Sequence, residues 1–362
     1  MRRVPALLAS LLVALVLVEA AAADSNGFRA AVSYWAMRHT FYDRATGRYR
    51  EREAARAPAR AWAYSQALAA TIAMAGVPKW GHLYRREAAR RVSGLDRYRR
   101  ADGSYAAAIG PSGDVYYDDN EWIALALLRW YELRHARGAL AGAERIFQLV
   151  VRAWDSNAKD ACPGGVFWTT ARGNEDRNTV TTATGALLGL ELYKITHHAS
   201  ELAWSKQMLS WVTQCMLAPD GLLWDHLTLD GRRNEAHWSY NQGTAIGAYV
   251  LLYRLTGDRA ALVRAQELAG SSLDYFDRDP RGAEPPFFLA IFFRNLLALA
   301  DVDHDPRYRA ETQAYADAIW RDLRDPQTGL FSFRGAQPET LLEQAAVVQL
   351  YAALAHRTTA GP

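Results

Sequence analysis

Six stretches of the chain are apolar on nearly every side of a helix, and each starts with polar or aromatic residues. A helix that is apolar all round is surrounded by protein, so these stretches predict six inner helices. Between Tyr64 and Gln344, equivalent positions recur every 49 to 63 residues, which is a loose but persistent repeat. The stretches begin at Trp62, Asp118, Asn178, Asn241, Pro285 and Leu341.

The segments between these stretches have an apolar stripe on one face only, as in Ala143, Ile146, Phe147 and Val150. Such a stripe predicts outer helices, and six pairs of inner and outer helices predict a closed, all-α ring. The loops that lead into the inner helices are long and contain Gly-aromatic pieces that suggest small hairpins. Binding sites concentrate on long loops, so we expect the site on the face where the inner helices begin.

The N-terminus has Arg2 and Arg3, then an apolar stretch and small residues through Ala23. This order predicts a signal peptide at 1–23, a single domain at 24–362 and a secreted or periplasmic protein. An uncleaved membrane anchor is the alternative, although the apolar stretch is short for a bilayer span. We expect no stable membrane span after cleavage.

Half of the residues are hydrophobic, which is enough for a large core, and the formal net charge is only +3. With so small an excess of arginine, we expect no nucleic acid or anionic lipid partner but an uncharged or weakly charged ligand. Cys162 and Cys215 suit either a disulfide or two free thiols. We expect no cofactor and no metal, because no ligand cluster has suitable spacing, and we expect a monomer.

The segment YYDDNEW at 116–122 places two carboxylates side by side at the start of the second inner stretch. Asp118 and Asp119 suit a helix start, where carboxylates bond to free N–H groups and favour the positive end of the dipole. They also suit glycoside hydrolysis, which needs one protonated and one ionised carboxyl group. Two neighbouring carboxyls raise the pKa of one group, which keeps its proton while the other group is ionised. The flanking residues Tyr117, Asn120 and Trp122 are types that contact sugar faces and hydroxyls.

With these residues the chain resembles glycoside hydrolase family 76, the bacterial endo-α-1,6-mannanases and their fungal cell-wall relatives. The resemblance rests on YYDDNEW, on GGVFW at 164–168, on GLLWD at 221–225 and on YNQG with TGD within 240–258. Together with the repeat, it covers nearly the whole mature chain. It implies an (α/α)6 barrel, a six-hairpin toroid, that cleaves α-1,6-mannosidic bonds of a polysaccharide with retention of configuration.

The resemblance implies that Asp118 is the nucleophile and Asp119 the general acid/base. It also implies that Asp225 holds a substrate hydroxyl. Polar positions at the starts of inner helices, and aromatic residues suited to sugar platforms, complete the expected substrate-binding set: Asn178, Asn241, Gln242, Tyr64, Trp168, Trp238 and Tyr240.

Simpler roles remain open for many of these residues. The three amides also suit helix caps, the tryptophans also suit loop packing, and Asp225 also suits a turn. Two segments depart from the family pattern: NTVTTATG at 178–185 lacks a second asparagine, and PPFFLAIFF at 285–293 is unusually aromatic. These departures leave the glycan open, including a bacterial α-1,6-mannan such as a lipoglycan core.

Two other functions fit the same ring. An unsaturated uronyl hydrolase or lyase would need arginines at the mouth, and Arg172, Arg177, Arg232 and Arg233 lie in the predicted loops. A non-catalytic or transglycosylating wall protein would hold mannan without hydrolysing it.

Overall fold

The structure is a computed structural model that describes residues 26–110, 113–276, 278–333 and 339–357. The predicted signal peptide at 1–23 lies outside these residues. Within the described ranges, none of the helices combines the length and the apolar character that crossing a bilayer requires.

Twelve α-helices follow one another along the described chain, and a short 3-10 helix at Leu95–Arg97 follows the third of them. The helices are α1 (Asn26–Phe41), α2 (Ala61–Gly76), α3 (Gly81–Gly94), α4 (Tyr117–Arg134), α5 (Arg137–Arg152), α6 (Thr179–Thr196), α7 (Ala199–Met216), α8 (Ser239–Thr256), α9 (Arg259–Tyr275), α10 (Pro286–Asp303), α11 (Pro306–Asp322) and α12 (Leu341–Arg357).

The even-numbered helices form an inner ring in which each packs against the next, and α12 closes the ring against α2. Five outer helices pack on the inner helix that precedes them. The sixth pair differs, because α12 takes as its outer partner the N-terminal helix α1. The predicted (α/α)6 barrel is confirmed, and the two ends of the described chain meet in its last pair.

The inner helices bury small and branched apolar residues on both sides, which explains their lack of a polar face. Close packing between them also needs glycine. A Cβ atom at Gly243 would lie 2.5 Å from the Cα atom of Phe292, so only glycine lets α8 approach α10 this closely.

Five short strands complete the described structure. Strands β1 (Tyr42–Asp43) and β2 (Arg48–Tyr49) form a hairpin after α1. Strand β3 (Arg177–Asn178) directly precedes α6, and β4 (His226–Leu227) and β5 (Arg233–Asn234) lie between α7 and α8. The antiparallel order β3-β4-β5 joins two of the long loops on the face where the inner helices begin.

Three inner helices hold the preceding loop through a side-chain amide that contacts both backbone groups of one loop residue. Gln242 accepts from the Leu223 N–H (2.8 Å) and donates to the Leu223 carbonyl (2.9 Å). Asn120 contacts Tyr105 in the same way, and Gln344 contacts Phe331. These three loop residues lie in the Gly-aromatic pieces GSYAA at 103–107, GLLWD at 221–225 and GLFSF at 329–333. Each forms an antiparallel bridge, as the predicted hairpins require.

The loop before α6 is held differently. Thr182 accepts only the Val166 N–H, at 3.0 Å. The fully buried Arg177 supplies the remaining bonds: it pairs with Asp155 (2.8 Å) and donates to four backbone carbonyls, those of Ala161, Cys162, Gly164 and Thr228. A disulfide between Cys162 and Cys215, with Cα atoms 6.2 Å apart, ties the same loop to α7.

Replacing Gln344 with leucine should lower the free energy of unfolding by about 2 kcal/mol, because the Phe331 N–H and carbonyl lose their buried partner. Thermal and denaturant unfolding would measure the loss. The matched control is Gln214→Leu on the exposed side of α7. Equal stability of the two variants would contradict a structural role for the amide contact.

Candidate active site

The aspartate pair lies in the first turn of α4, on the face with the long loops. The helix begins after Tyr116, whose side chain makes no capping hydrogen bond. The Tyr117 N–H donates to the Trp168 carbonyl at 2.9 Å, so the loop before α6 holds the start of α4. Both residues are partly exposed overall. Neither aspartate is the residue before the helix, but both lie in its first turn, where Asp118 accepts a backbone N–H, so a helix-start role is compatible with a catalytic one.

Asp118 is the more strongly held of the two aspartates. Its Oδ1 atom accepts from the Asp119 N–H at 2.9 Å, and its Oδ2 atom accepts from the Trp168 indole N–H at 3.4 Å. Burial raises the pKa of Asp118 to about 6, and the charge of Asp225 adds to this rise while the two donors oppose it. Asp118 is therefore ionised near neutral pH.

The pKa of Asp119 is raised as well. Burial, and then the negative charge of Asp118, raise its pKa well above the usual range, and Arg60 only partly opposes them. Its carboxyl group makes no hydrogen bond to the described residues. Two such neighbouring carboxyls resist ionising together, and hydrolysis of a glycosidic bond needs one ionised and one protonated carboxyl.

A second carboxylate, Asp225, faces the pair from the loop before α8. Asn241 donates to its Oδ1 atom at 3.2 Å, and the His226 ring contacts its Oδ2 atom at 2.9 Å. The other His226 nitrogen lies 3.8 Å from Asp176. The hydrogen bond to Asp225 is the main cause of a raised pKa of His226, so this ring sits between two carboxylates that favour its charged form.

Aromatic side chains form the opposite part of the site. Tyr240 stacks on Phe288 with ring centres 3.8 Å apart, and Trp238 meets Phe288 edge-on at 5.6 Å. Trp62 contacts both Phe287 and Phe288. Burial raises the pKa of Tyr240, and the charges of Asp225 and Asp118 add to this, which places Tyr240 beside both carboxylates. We call Trp62, Trp238, Tyr240, Phe287 and Phe288 the aromatic wall.

The axis of the ring is closed beneath the site by a small apolar cluster that is separate from the main core. Trp122, Val180 and Ile291 form it, from three different inner helices, and Trp62 and Tyr240 pack on its edge. Only 6% of Trp122 is exposed. Trp122 therefore packs within this cluster and does not offer a ring face to a sugar.

Four other predicted substrate-binding residues occupy structural positions. Tyr64 is buried in the core, where its hydroxyl donates to the Arg91 carbonyl at 2.7 Å. Asn120 and Gln242 are fully buried in the loop contacts described above. Tyr117 packs on the main core, beside the charges of Arg152 and Asp102. The buried positions of Tyr64, Asn120 and Gln242 suit packing and loop attachment and do not suit direct sugar contact. Tyr117 is partly exposed beside Asp118, so its contact with a sugar stays a prediction.

The remaining predicted residues are brought together. Trp168 donates to Asp118, Asn241 donates to Asp225, and the charges of Asp225 and Asp118 both act on Tyr240. Trp238 joins the site through Phe288 of the aromatic wall. Asn178 is the last residue of β3, opposite His226, and its buried Oδ1 atom has no partner among the described residues.

Sequence reasoning missed His226, Arg60 and Phe288. His226 directly follows the GLLWD piece, which was a usable signal. Phe288 lies in PPFFLAIFF, whose unusual aromatic content was a usable signal. Arg60 carries no local signal, because only the closure of the ring brings the start of α2 to the start of α4. Of the arginines named for a uronate site, Arg177 is fully buried in the loop contacts, whereas Arg172, Arg232 and Arg233 are exposed.

Glu121 is a further buried acid directly behind the pair. It is fully buried, and within the described residues neither carboxyl oxygen has a hydrogen-bond partner. A Cβ atom at Gly185 would lie 3.1 Å from its Oε1 atom, so the side chain points at α6. Burial, and then the charge of Asp118, raise its pKa well above the usual range, so Glu121 stays protonated.

The family model described as Glycosyl hydrolase family 76 matches residues 26–359. The chain belongs to glycosyl hydrolase family 76. It is therefore a glycoside hydrolase. The predicted resemblance is confirmed, and the match covers all twelve helices.

Solved structures of this family share the fold. The chain is similar to the family 76 mannosidase Bt3792 of Bacteroides thetaiotaomicron, with 21% identity, a TM-score of 0.84 and coverage of 91% of this chain and 98% of that one. It is also similar to an α-1,6-mannanase, GH76A of Salegentibacter sp. HEL1_6, determined with α-1,6-mannotriose as an inactive variant with two consecutive aspartates changed to asparagine. That match has 20% identity, a TM-score of 0.76 and coverage of 91% and 99%.

A curated relative is the mannan endo-1,6-alpha-mannosidase DCW1 of Saccharomyces cerevisiae. It is 24% identical over 143 residues, which are 37% of this chain and 31% of the yeast protein. The match therefore spans only about a third of the yeast protein's length.

Two variants of this family 76 hydrolase should move the acid limb of its pH profile in opposite directions. Trp168→Phe removes a donor to Asp118, so the pKa of Asp118 should rise by about half a unit. Asp225→Asn removes a neighbouring negative charge, so the same pKa should fall. The pH dependence of kcat/KM measures both. Trp204→Phe, on α7, is the control, and a shift of the same sign in both variants would contradict the assignment.

Glu121→Gln should be more stable than the wild type near neutral pH and equal to it at about pH 4. Above its usual pKa of 4.5 the unfolded wild-type Glu121 ionises while the folded one keeps its proton. The wild type should therefore lose about 1.4 kcal/mol of stability per pH unit relative to the variant, until the folded carboxyl also ionises. Denaturant unfolding at several pH values tests this, and a constant difference would refute it.

Proposed function

We propose that this chain is a secreted, retaining mannanase that cleaves α-1,6-mannosidic bonds. Asp118 is the nucleophile, and Asp119 is the general acid and then the general base. The observation that carries the proposal is the placement of the pair: both aspartates lie in the first turn of α4 on the loop face, and the Trp168 indole N–H donates to Asp118.

In the first step the Asp118 carboxylate attacks the anomeric carbon of the mannose unit. The bond from this carbon to the glycosidic oxygen breaks, and Asp119 gives its proton to the leaving oxygen. The products are a covalent mannosyl ester on Asp118 and a shortened glycan with a free hydroxyl group. The Trp168 indole N–H, at 3.4 Å from Oδ2, orients the attacking carboxylate.

In the second step a water molecule replaces the departed glycan. Asp119, now a carboxylate, takes one proton from this water as its oxygen attacks the anomeric carbon. The ester bond to Asp118 breaks, and both aspartates return to their starting forms. Two displacements at one carbon retain the configuration.

The two sides of the site suit the two kinds of sugar surface. Asp225, held by Asn241 and His226, offers a fixed acceptor to hydroxyl groups. The aromatic wall offers apolar ring faces, which stack on the C–H faces of sugars. A neutral mannan presents both hydroxyl groups and C–H faces, so it suits this combination. The solved relative in complex with α-1,6-mannotriose supports the same class of substrate.

Secretion is supported by the predicted signal peptide and by the disulfide between Cys162 and Cys215. Such bonds persist in oxidising compartments outside the cytosol. A polysaccharide of the cell surface would meet the enzyme there.

Asp118→Asn and Asp119→Asn should each reduce release of oligosaccharides from linear α-1,6-mannan by about a thousandfold or more. With an aryl mannoside whose leaving group needs no proton, Asp119→Asn should still form the mannosyl ester, and Asp118→Asn should not. Mass spectrometry of the intact protein would detect the ester. NMR would show whether the product first formed has the same anomeric configuration as the substrate, as retention requires.

The matched control is Asp114→Asn, an exposed aspartate in the same loop. Wild-type rates in the Asp118 or Asp119 variants would refute the assigned roles. Cleavage of uronate oligosaccharides with a change in absorbance of the unsaturated chromophore, a rise for a lyase or a fall for a hydrolase, and no action on mannan, would replace the proposal with the uronyl function.

A further inference from the structure

The outer wall of the ring carries a second concave surface, away from the loop face. Helices α1 and α3 enclose an open cavity of about 480 Å³. Trp35 and Arg38 line it from α1, and Leu83, Arg86 and Arg90 line it from α3. Both helices belong to the outer layer, whereas Asp118 and Asp119 begin an inner helix.

Large apolar side chains are exposed around this cavity. Trp35 is 58% exposed, Leu83 is 62% exposed, and Trp80, just before α3, is 38% exposed. Within the described residues only Val263 and Tyr275 are comparable, and both lie on α9. The rings of His39 and Trp35 are stacked, with their centres 5.0 Å apart and an angle of 4° between their planes. His39 therefore covers one face of the indole. Clustered exposed apolar groups mark a surface that meets another phase or molecule.

The same surface is strongly basic. It holds Arg38 on α1 and Arg85, Arg86 and Arg90 on α3, with Glu87 between them, although the whole chain has a net charge of only +3. The acidic Glu87 is already paired, with Arg38 at 2.8 Å and Arg91 at 2.5 Å. Arg85, Arg86 and Arg90 have no carboxylate partner among the described residues. Their charges are therefore available to an external anion.

We propose that this surface docks the enzyme on an anionic phospholipid bilayer. We call it the α1–α3 face and define it by Trp35, Trp80, Leu83, Arg85, Arg86 and Arg90. The arginines meet lipid phosphates, and the cavity between α1 and α3 accommodates a head group. Trp35, Trp80 and Leu83 enter the boundary between head groups and acyl chains, as in interfacial helices.

The apolar groups favour a bilayer over a soluble polyanion. A dissolved anionic glycan would satisfy the arginines but leave Leu83 in water, whereas a bilayer accepts both kinds of group. The described chain also starts at this face, because a Cβ atom at Gly27 would lie 3.8 Å from Trp80 Nε1. Docking through α1 and α3 leaves the loop face, with the aspartate pair, free for glycan.

Sedimentation of the full chain with lipid vesicles tests the proposal. Vesicles of phosphatidylcholine with phosphatidylglycerol should bind the wild type, vesicles of phosphatidylcholine alone should not, and added salt should weaken binding. The triple variant Arg85→Gln, Arg86→Gln and Arg90→Gln should bind about 100-fold more weakly. Trp35→Ser with Leu83→Ser should also bind more weakly, through loss of insertion.

The controls remove the same groups elsewhere on the ring. Arg137→Gln, Arg145→Gln and Arg259→Gln remove three exposed charges, and Val263→Ser with Tyr275→Ser removes two exposed apolar groups. All variants should keep wild-type activity on soluble mannan, which shows that they fold. Equal vesicle binding by the triple variant and its control would overturn the proposal. Binding to soluble phosphomannan without binding to vesicles would overturn it in favour of an anionic glycan.

Discussion

The catalytic face depends on side-chain amides that each hydrogen-bond both backbone groups of one loop residue. Asn120, Gln242 and Gln344 lie in the first turns of inner helices and hold Tyr105, Leu223 and Phe331. Long loops otherwise have few ways to satisfy buried backbone groups. Because the ring is rigid, loops held in this way acquire fixed positions relative to the starts of the inner helices.

The loop before α6 has a threonine where the other loops have an amide, and it is held by stronger contacts. Arg177 ties five partners together, and the disulfide joins the loop to α7. This loop carries Trp168, the donor to Asp118. Through β3 and β4 it also positions the strand that begins with His226, next to Asp225. The departure from the family pattern at NTVTTATG therefore concerns loop attachment, and it does not bear directly on the choice of glycan.

Charge is distributed unevenly over the molecule. On the loop face, burial and neighbouring carboxyl groups raise the pKa of both aspartates, and hydrogen-bond donors to Asp118 oppose this rise. On the α1–α3 face, arginines and exposed apolar groups lie together. A net charge averaged over the chain describes neither surface, because folding separates acidic and basic groups. The expectation of no anionic lipid partner was drawn from the net charge of the whole chain, and the docking proposed for the α1–α3 face departs from it.

The sequence by itself determined the ring, because a period of all-round apolar stretches can be buried only by neighbouring helices. It also located the aspartate pair at a helix start and marked Asp225, Trp168 and Tyr240, since these lie within short motifs. It did not separate the sugar-facing residues from Tyr64, Asn120, Trp122 and Gln242, because side-chain type is the same in both roles. Only the tertiary structure decided which role each of these residues has, and only it revealed His226, Arg60 and the partner of α12. Contacts between residues far apart in the chain exist only once the ring has closed.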